Sequence, residues 1–197
     1  MTPVERDSEL ALVARLKRRD EGAFDELYGT YHARIFNFLA RLSRNRDVAE
    51  DLAEELWLRV VGSAPRLRDD TRLTPWLFTI ARNLYASYCR SRALDYDAMS
   101  SPILWPVQPP EPSPFEAASA TELQKRVEVA LATLPGTYRE ALLLVAQEGM
   151  TPAQAAGVCG ISAEAMRQRL SRARVMLAKR LDNPEGFPAV ILKEVLP

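Results

Sequence analysis

From Phe24 onward, Leu27, Tyr31, Ile35, Phe38 and Leu42 recur every three or four positions, the spacing that lines one face of an α-helix. Asp20 stands at its head as a cap, so the pattern predicts a helix from Asp20 to about Leu42. The same period appears before it, where Asp7 or Ser8 caps a helix to about Arg19. It appears again after it, where Asp47 caps a helix to about Val61 that Gly62 and Pro65 close. Thr74 and Pro75 suit the N-cap and first position of a further helix reaching about Arg92. Later segments predict helices over 119–133 and 136–147, a short one opened by Thr151-Pro152, and a last one from Ser162 to Arg180 beyond the turn "CGIS". No segment alternates convincingly with period two, and the expected fold is all-α.

Proline use divides the chain. Asp95 to Ala118 reads "DYDAMSSPILWPVQPPEPSPFEAA", with six of the fourteen prolines, four acids and no Lys or Arg. That composition predicts a linker, joining two small helical domains at 7–94 and 119–182, with a tail at 183–197. Ile103, Trp105 and Phe115 suit a linker that docks rather than floats.

Composition narrows the function classes. The 197 residues are 47% apolar and 26% charged, with 26 basic and 26 acidic side chains. The run "ALLLVA" is too short to span a bilayer, and "MTPVERDSEL" lacks the basic-then-apolar order of a signal peptide; the expectation is a cytoplasmic protein without membrane insertion. Cys89, Cys159 and the single His32 make no metal-ligand spacing, and there is no Gly-rich phosphate loop or GxSxG. We therefore expect no metal or other cofactor and no enzymatic activity.

Three helix faces remain to be explained. Ser162–Arg180 carries six basic residues and one acid; Met166, Leu170, Ala173 and Leu177 share one arc, whereas Arg167, Gln168, Ser171 and Arg172 gather opposite. The preceding short helix and glycine-containing turn complete the order of a helix-turn-helix, which suits duplex DNA. In "DVAEDLAEELWLRVV", Glu50, Asp51, Glu54 and Glu55 oppose the inward arc, Leu58 projects among them and Trp57 flanks them. An apolar anchor ringed by charge suits a basic protein partner. In "TPWLFTIARNLYASYCRSR", Leu77, Ile80, Ala81, Leu84 and Tyr88 form the buried arc, and Trp76, Asn83 and Arg90 follow one ridge at seven-residue intervals. Ring, amide and cation in a row suit a single strand, though a Trp near a helix start also serves packing.

"RDVAEDLAEELWLRVV", "TPWLFTIARN" and "LPGTYREALLLVAQEGMTPAQAAGVCGISAEAMRQRLSRAR", in this order and spacing, resemble the extracytoplasmic-function (ECF) sigma factors of bacterial RNA polymerase, over about Asp7 to Leu181. The resemblance implies a region 2 helical bundle and a region 4 helix-turn-helix, with core RNA polymerase, promoter DNA in duplex and melted form, and an anti-sigma factor as partners. Glu50, Asp51, Glu54, Glu55, Trp57 and Leu58 would meet the β′ clamp helices, with the β subunit also in contact. The Ser63–Leu73 loop and the following helix, through Arg66, Arg68, Arg72, Trp76, Asn83 and Arg90, would capture the melted minus-ten element, with Asn83 helping to hold a flipped base. Arg167, Gln168, Ser171 and Arg172 would read the minus-thirty-five element.

The chain departs from the family at Glu54, where Gln is frequent, at Glu164-Ala165-Met166, where Gly-Thr-Val is usual, and at Ala155, where a larger aliphatic residue is common. These departures leave its promoter preference its own. Two other classes compete: a conventional helix-turn-helix regulator, which would bind duplex DNA alone and not need the Leu58 surface, and a helical adaptor, which would leave the basic faces unexplained.

Overall fold

A computed structural model describes residues 3–99 and 122–181, and every regular element among them is helical. The chain divides into two compact units, Met1–Pro106 and Val107–Pro197. The linker residues Ile103, Trp105 and Phe115 and the tail 183–197 lie outside the described residues.

The first unit contains α1 (Pro3–Lys17), α2 (Glu21–Ser43), α3 (Arg46–Ser63) and α4 (Leu73–Met99), with a 3-10 turn at Ala64–Arg66. Asp20 caps α2 as its sequence suggests, its side chain accepting from the Ala23 N–H. Three expected helix starts are corrected. α1 begins at Pro3, so Asp7 and Ser8 lie inside it. α3 is capped by Asn45, whose side chain accepts from the Val48 N–H, because Arg44 turns left-handed (φ 60°) and leaves Asn45 extended; Asp47 falls in the first turn. There its charge still favours the positive end of the helix. α4 starts at Leu73, and the Thr74 hydroxyl instead pairs with that of Tyr31 at 2.8 Å. Gly62 is helical, and α4 continues through Asp95–Met99 into the segment expected to be linker. Nothing in "DYDAM" breaks a helix; the first proline comes at Pro102.

The core of this unit is the predicted stripe of α2, with Leu27, Ile35, Phe38 and Leu42 essentially inaccessible, against Leu56 and Val60 of α3 and Leu77, Ala81 and Leu84 of α4. Each such Leu, Ile or Phe contributes roughly 1.5–3 kcal/mol on burial. Phe78 belongs there as well, edge-on to Phe38 at 5.1 Å between centroids, whereas Ile80 and Tyr88 are only half-buried.

The second unit contains α5 (Glu122–Ala132), α6 (Gly136–Leu142, continued by a π turn at Leu143–Gln147), α7 (Pro152–Cys159) and α8 (Ala163–Arg180). Thr151 and Gln154 form a reciprocal capping box at the head of α7. Gly160 ends α7 at φ 66°, ψ 34°, a conformation that glycine adopts without steric cost. Ser162 then accepts from the Ala165 N–H and opens α8. Leu134, Leu144, Met166, Leu170 and Leu177 fill the interior. Arg139 is buried too. It donates to the carbonyls of Leu131 (3.1 Å), Ala132 (2.9 Å) and Leu134 (2.7 Å), satisfying acceptors that the end of α5 leaves without helical partners.

Candidate functional site

Each of the three faces is built on a helix whose other side is core. On α3, Ala49, Leu52, Leu56 and Val60 are buried, which turns Glu50, Asp51, Glu54 and Leu58 outward. Glu50 pairs with Arg46 (3.0 Å) and the half-buried Glu55 with Arg59 (2.8 Å), both within the helix. Leu58 is 71% exposed, and Val61, which the sequence reading missed, is 57% exposed. The signal for Val61 was present: it lies three residues from Leu58 and is therefore its neighbour on the helix surface.

Trp57 corrects the expectation that it flanks the acids on the surface. It is 8% exposed, because it follows the buried Ala53 by one turn and can tuck against α2. There it meets Phe24 edge-on at 5.8 Å and Tyr28 at 4.8 Å, and its indole N–H donates to Nδ1 of His32 at 3.2 Å. Tyr28 stacks on His32 at 4.5 Å.

Between α3 and α4, Leu67 and Leu73 are buried and hold the Ser63–Leu73 loop to the bundle, leaving Arg66, Arg68 and Arg72 exposed. Arg68 forks onto Asp70 at 3.1 and 3.2 Å. On α4, Trp76 is half-buried, while Asn83 and Arg90 are exposed. Asn83 Oδ1 accepts from Arg82 at 3.4 Å, and Arg90 donates to the Ser87 hydroxyl at 2.8 Å. The loop is tied from beneath by α1. Arg6 donates to the carbonyls of Asp70 (2.8 Å) and Thr71 (3.3 Å), Glu9 accepts from the Leu73 N–H (2.8 Å), and Lys17 pairs with Asp69.

On α8, Arg167, Gln168, Ser171 and Arg172 are exposed on the helix-turn-helix as the sequence suggests. Val175, 54% exposed, shares their face. The remaining cations have diverse roles. Arg169 turns inward to the buried Glu140 at 3.7 Å. Arg180 donates to the carbonyl and hydroxyl of Thr133 at 2.8 and 3.2 Å. Arg167 is held by Glu164 at 2.6 Å, and hydrogen bonds from Arg167 and then Gln168 keep the Glu164 carboxyl below the usual carboxylate range.

Among the described residues, no group of His, Cys, Asp and Glu could hold a metal ion, and no helix is long and apolar enough to cross a membrane. Two helical units, one ending in a helix-turn-helix with a basic outward face, define a DNA-binding class of protein. Comparison with known proteins is consistent with that class and narrows it. The Sigma-70 region 2 family matches residues 27–94, and the Sigma-70 region 4 family matches residues 124–177. An ECF RNA polymerase sigma factor of Rhodopseudomonas palustris is 32% identical over 154 residues, covering 76% of this chain and 81% of the relative. A probable RNA polymerase sigma factor of Xanthomonas campestris is 37% identical over 145 residues, 71% of this chain, which spans only 36% of that longer relative. The solved sigma factor RpoE of Bartonella quintana, in complex with the anti-sigma factor NepR, superimposes with a TM-score of 0.72 at 26% identity, over 82% of this chain and 98% of that one. This chain belongs to the sigma-70 family of RNA polymerase sigma factors, in its ECF group. Sigma factors are in general initiation factors rather than enzymes.

Proposed function

We propose that the two units divide the work of promoter-specific initiation, the first taking in all of α1 to α4 and the second α5 to α8. The acidic face of α3, through Glu50, Asp51, Glu54, Glu55 and Leu58 and with Val61 added, docks on the basic clamp helices of core polymerase. Trp57 supports that face from within. The Ser63–Leu73 loop, with Arg66, Arg68 and Arg72, and the ridge of Trp76, Asn83 and Arg90 hold the melted minus-ten strand by stacking, amide hydrogen bonding and phosphate contact. Arg167, Gln168, Ser171 and Arg172 read the minus-thirty-five duplex from the major groove. The protein works in the cytoplasm beside the polymerase and performs no catalysis of its own. The neighbour from Bartonella quintana is bound by an anti-sigma factor, and an inhibitor competing with polymerase for these same surfaces suits this chain.

The observation that carries this reading is Leu58, 71% exposed amid carboxylates. A helix-turn-helix regulator acting alone has no use for such an anchor, whereas a protein that docks on a cationic partner does. A pull-down with core polymerase followed by run-off transcription tests it. Co-purification and promoter-dependent transcripts are expected; specific duplex binding by the free chain without polymerase association would point to the regulator instead.

A further inference from the structure

The Ser63–Leu73 loop ends where α4 begins, and the first N–H groups of a helix have no partner within it. The loop's own residues leave the first of them, on Leu73, unserved. Glu9, in the middle of α1 and far away in sequence, supplies the acceptor. Its Oε1 takes the Leu73 N–H at 2.8 Å, and its Oε2 takes Nη1 of Arg6 at 2.5 Å. The same guanidinium spreads over the carbonyls of Asp70 (Nη2, 2.8 Å) and Thr71 (Nη1, 3.3 Å). The two side chains are 20% and 13% exposed, and the contact is thus partly shielded from water. Lys17, two turns along the same helix, pairs with the side chain of Asp69. Four of the five positions from Asp69 to Leu73 are therefore fixed by one face of α1, three of them through the backbone.

A carboxylate at a helix N-terminus is favourable by charge as well as by hydrogen bonding. The pair does more than cap a helix, because a guanidinium bridging two successive carbonyls sets the path of the chain between them. The exposed Arg68 and Arg72 flank that path.

We propose that α1 is the template of the promoter-capturing loop, with Glu9 and Arg6 as positioning residues that set the loop's shape without touching DNA. The inference rests on the reading of this loop as the minus-ten contact. It predicts that damage at Glu9 lowers discrimination among minus-ten sequences and leaves the affinity for core polymerase alone, since the acidic face of α3 lies on another helix.

The test uses holoenzymes reconstituted with wild-type sigma, Glu9→Ala, Glu9→Gln, Arg6→Ala and a loop variant carrying Arg66→Ala, Arg68→Ala and Arg72→Ala. Templates are selected from a library randomised at the minus-ten element, and melting is read by permanganate reactivity. Amide exchange at Leu73 is followed in each free sigma. Glu9→Ala should speed Leu73 exchange at least tenfold and lower discrimination between the selected and a scrambled minus-ten element at least threefold, with polymerase affinity within twofold of wild type. Arg6→Ala should lower discrimination in the same direction. Glu9→Gln, which retains a side-chain oxygen for the Leu73 N–H, should recover most of the exchange protection and part of the discrimination. If the loop variant discriminates like wild type, the minus-ten reading fails and takes this inference with it. If the loop variant loses discrimination while Glu9→Ala keeps it, the inference alone is overturned. Loss of polymerase affinity by Glu9→Ala in proportion to its loss of discrimination would also overturn it, by showing a general folding defect.

Discussion

Trp57 and His32 meet across the α2–α3 interface, the indole N–H of one donating to Nδ1 of the other at 3.2 Å. The contact adds a side-chain hydrogen bond to the packing of Ala49, Leu52, Leu56 and Val60, the buried arc that turns Leu58 and the acids outward. Trp57→Phe keeps an aromatic ring there and removes the donor, which should cost about 0.5–1.5 kcal/mol in urea unfolding. Trp57→Ala should cost about 3–5 kcal/mol. The Phe variant should still co-purify with core polymerase; if it folds like wild type and no longer binds, the indole is a contact rather than a support.

Leu58→Arg should abolish retention on core polymerase with little change in unfolding free energy. Loss of an anchor from a desolvated interface centre costs at least ~2 kcal/mol, whereas substitutions at exposed positions stay within about 0.5 kcal/mol of wild-type stability. Val61→Arg should weaken binding in the same direction. Wild-type retention of both variants would place the interface elsewhere.

Arg167 cannot bind a base and Glu164 with the same fork at once. Glu164→Ala should therefore raise affinity for the minus-thirty-five duplex only modestly, by about fivefold at most, since an exposed pair is screened by solvent. Arg167→Ala should flatten preference at particular upstream positions, a loss of about 1–3 kcal/mol of discrimination. Selection from a randomised upstream element, sequenced for each holoenzyme, checks both. An unchanged sequence preference with Arg167→Ala would move the reading face away from this residue.

Asp20 supplies the acid-sensitive cap. Its carboxyl is held below the usual range, first by the hydrogen bond from Arg15 and then by the Ala23 N–H. A depressed native pKa means stability that is present above the unfolded-state value and lost as pH falls through the native one. Asp20→Asn keeps a capping oxygen and gives up the charge. It should be less stable than wild type at pH 7, and the gap should close as the pH drops below the ordinary carboxylate range. Thermal unfolding across pH 2–7 follows this directly, and a gap independent of pH would rule out the ionic origin.

The helices were legible because their apolar residues keep the helical period and bury as that period requires; Leu27, Ile35, Phe38 and Leu42 needed no tertiary information. The starts of α3 and α4 were not. Asn45 caps α3 because Arg44 accepts a left-handed backbone that its sequence does not advertise, at a cost of roughly 1–2 kcal/mol. α4 takes its first acceptor from Glu9 on another helix, and no local pattern encodes a partner 64 positions away. Among the candidate residues, Leu58 and the α8 face follow from helical geometry alone. Trp57 was misplaced because a large ring at the edge of a buried arc can turn either way, and the choice is made by Phe24, Tyr28 and His32 on the neighbouring helix.

Arg139 and Arg180 between them take the carbonyls of four successive residues, Leu131, Ala132, Thr133 and Leu134. Apart from the bond from Arg180 to the Thr133 hydroxyl, what they grip is main chain, the same whatever amino acid stands there. The genetic record of this joint is therefore written at two codons removed from the place they serve. Evolution is free to exchange a residue such as Ala132 while the joint survives, and a designer transplanting the helix-turn-helix onto another scaffold must carry the two arginines along with it.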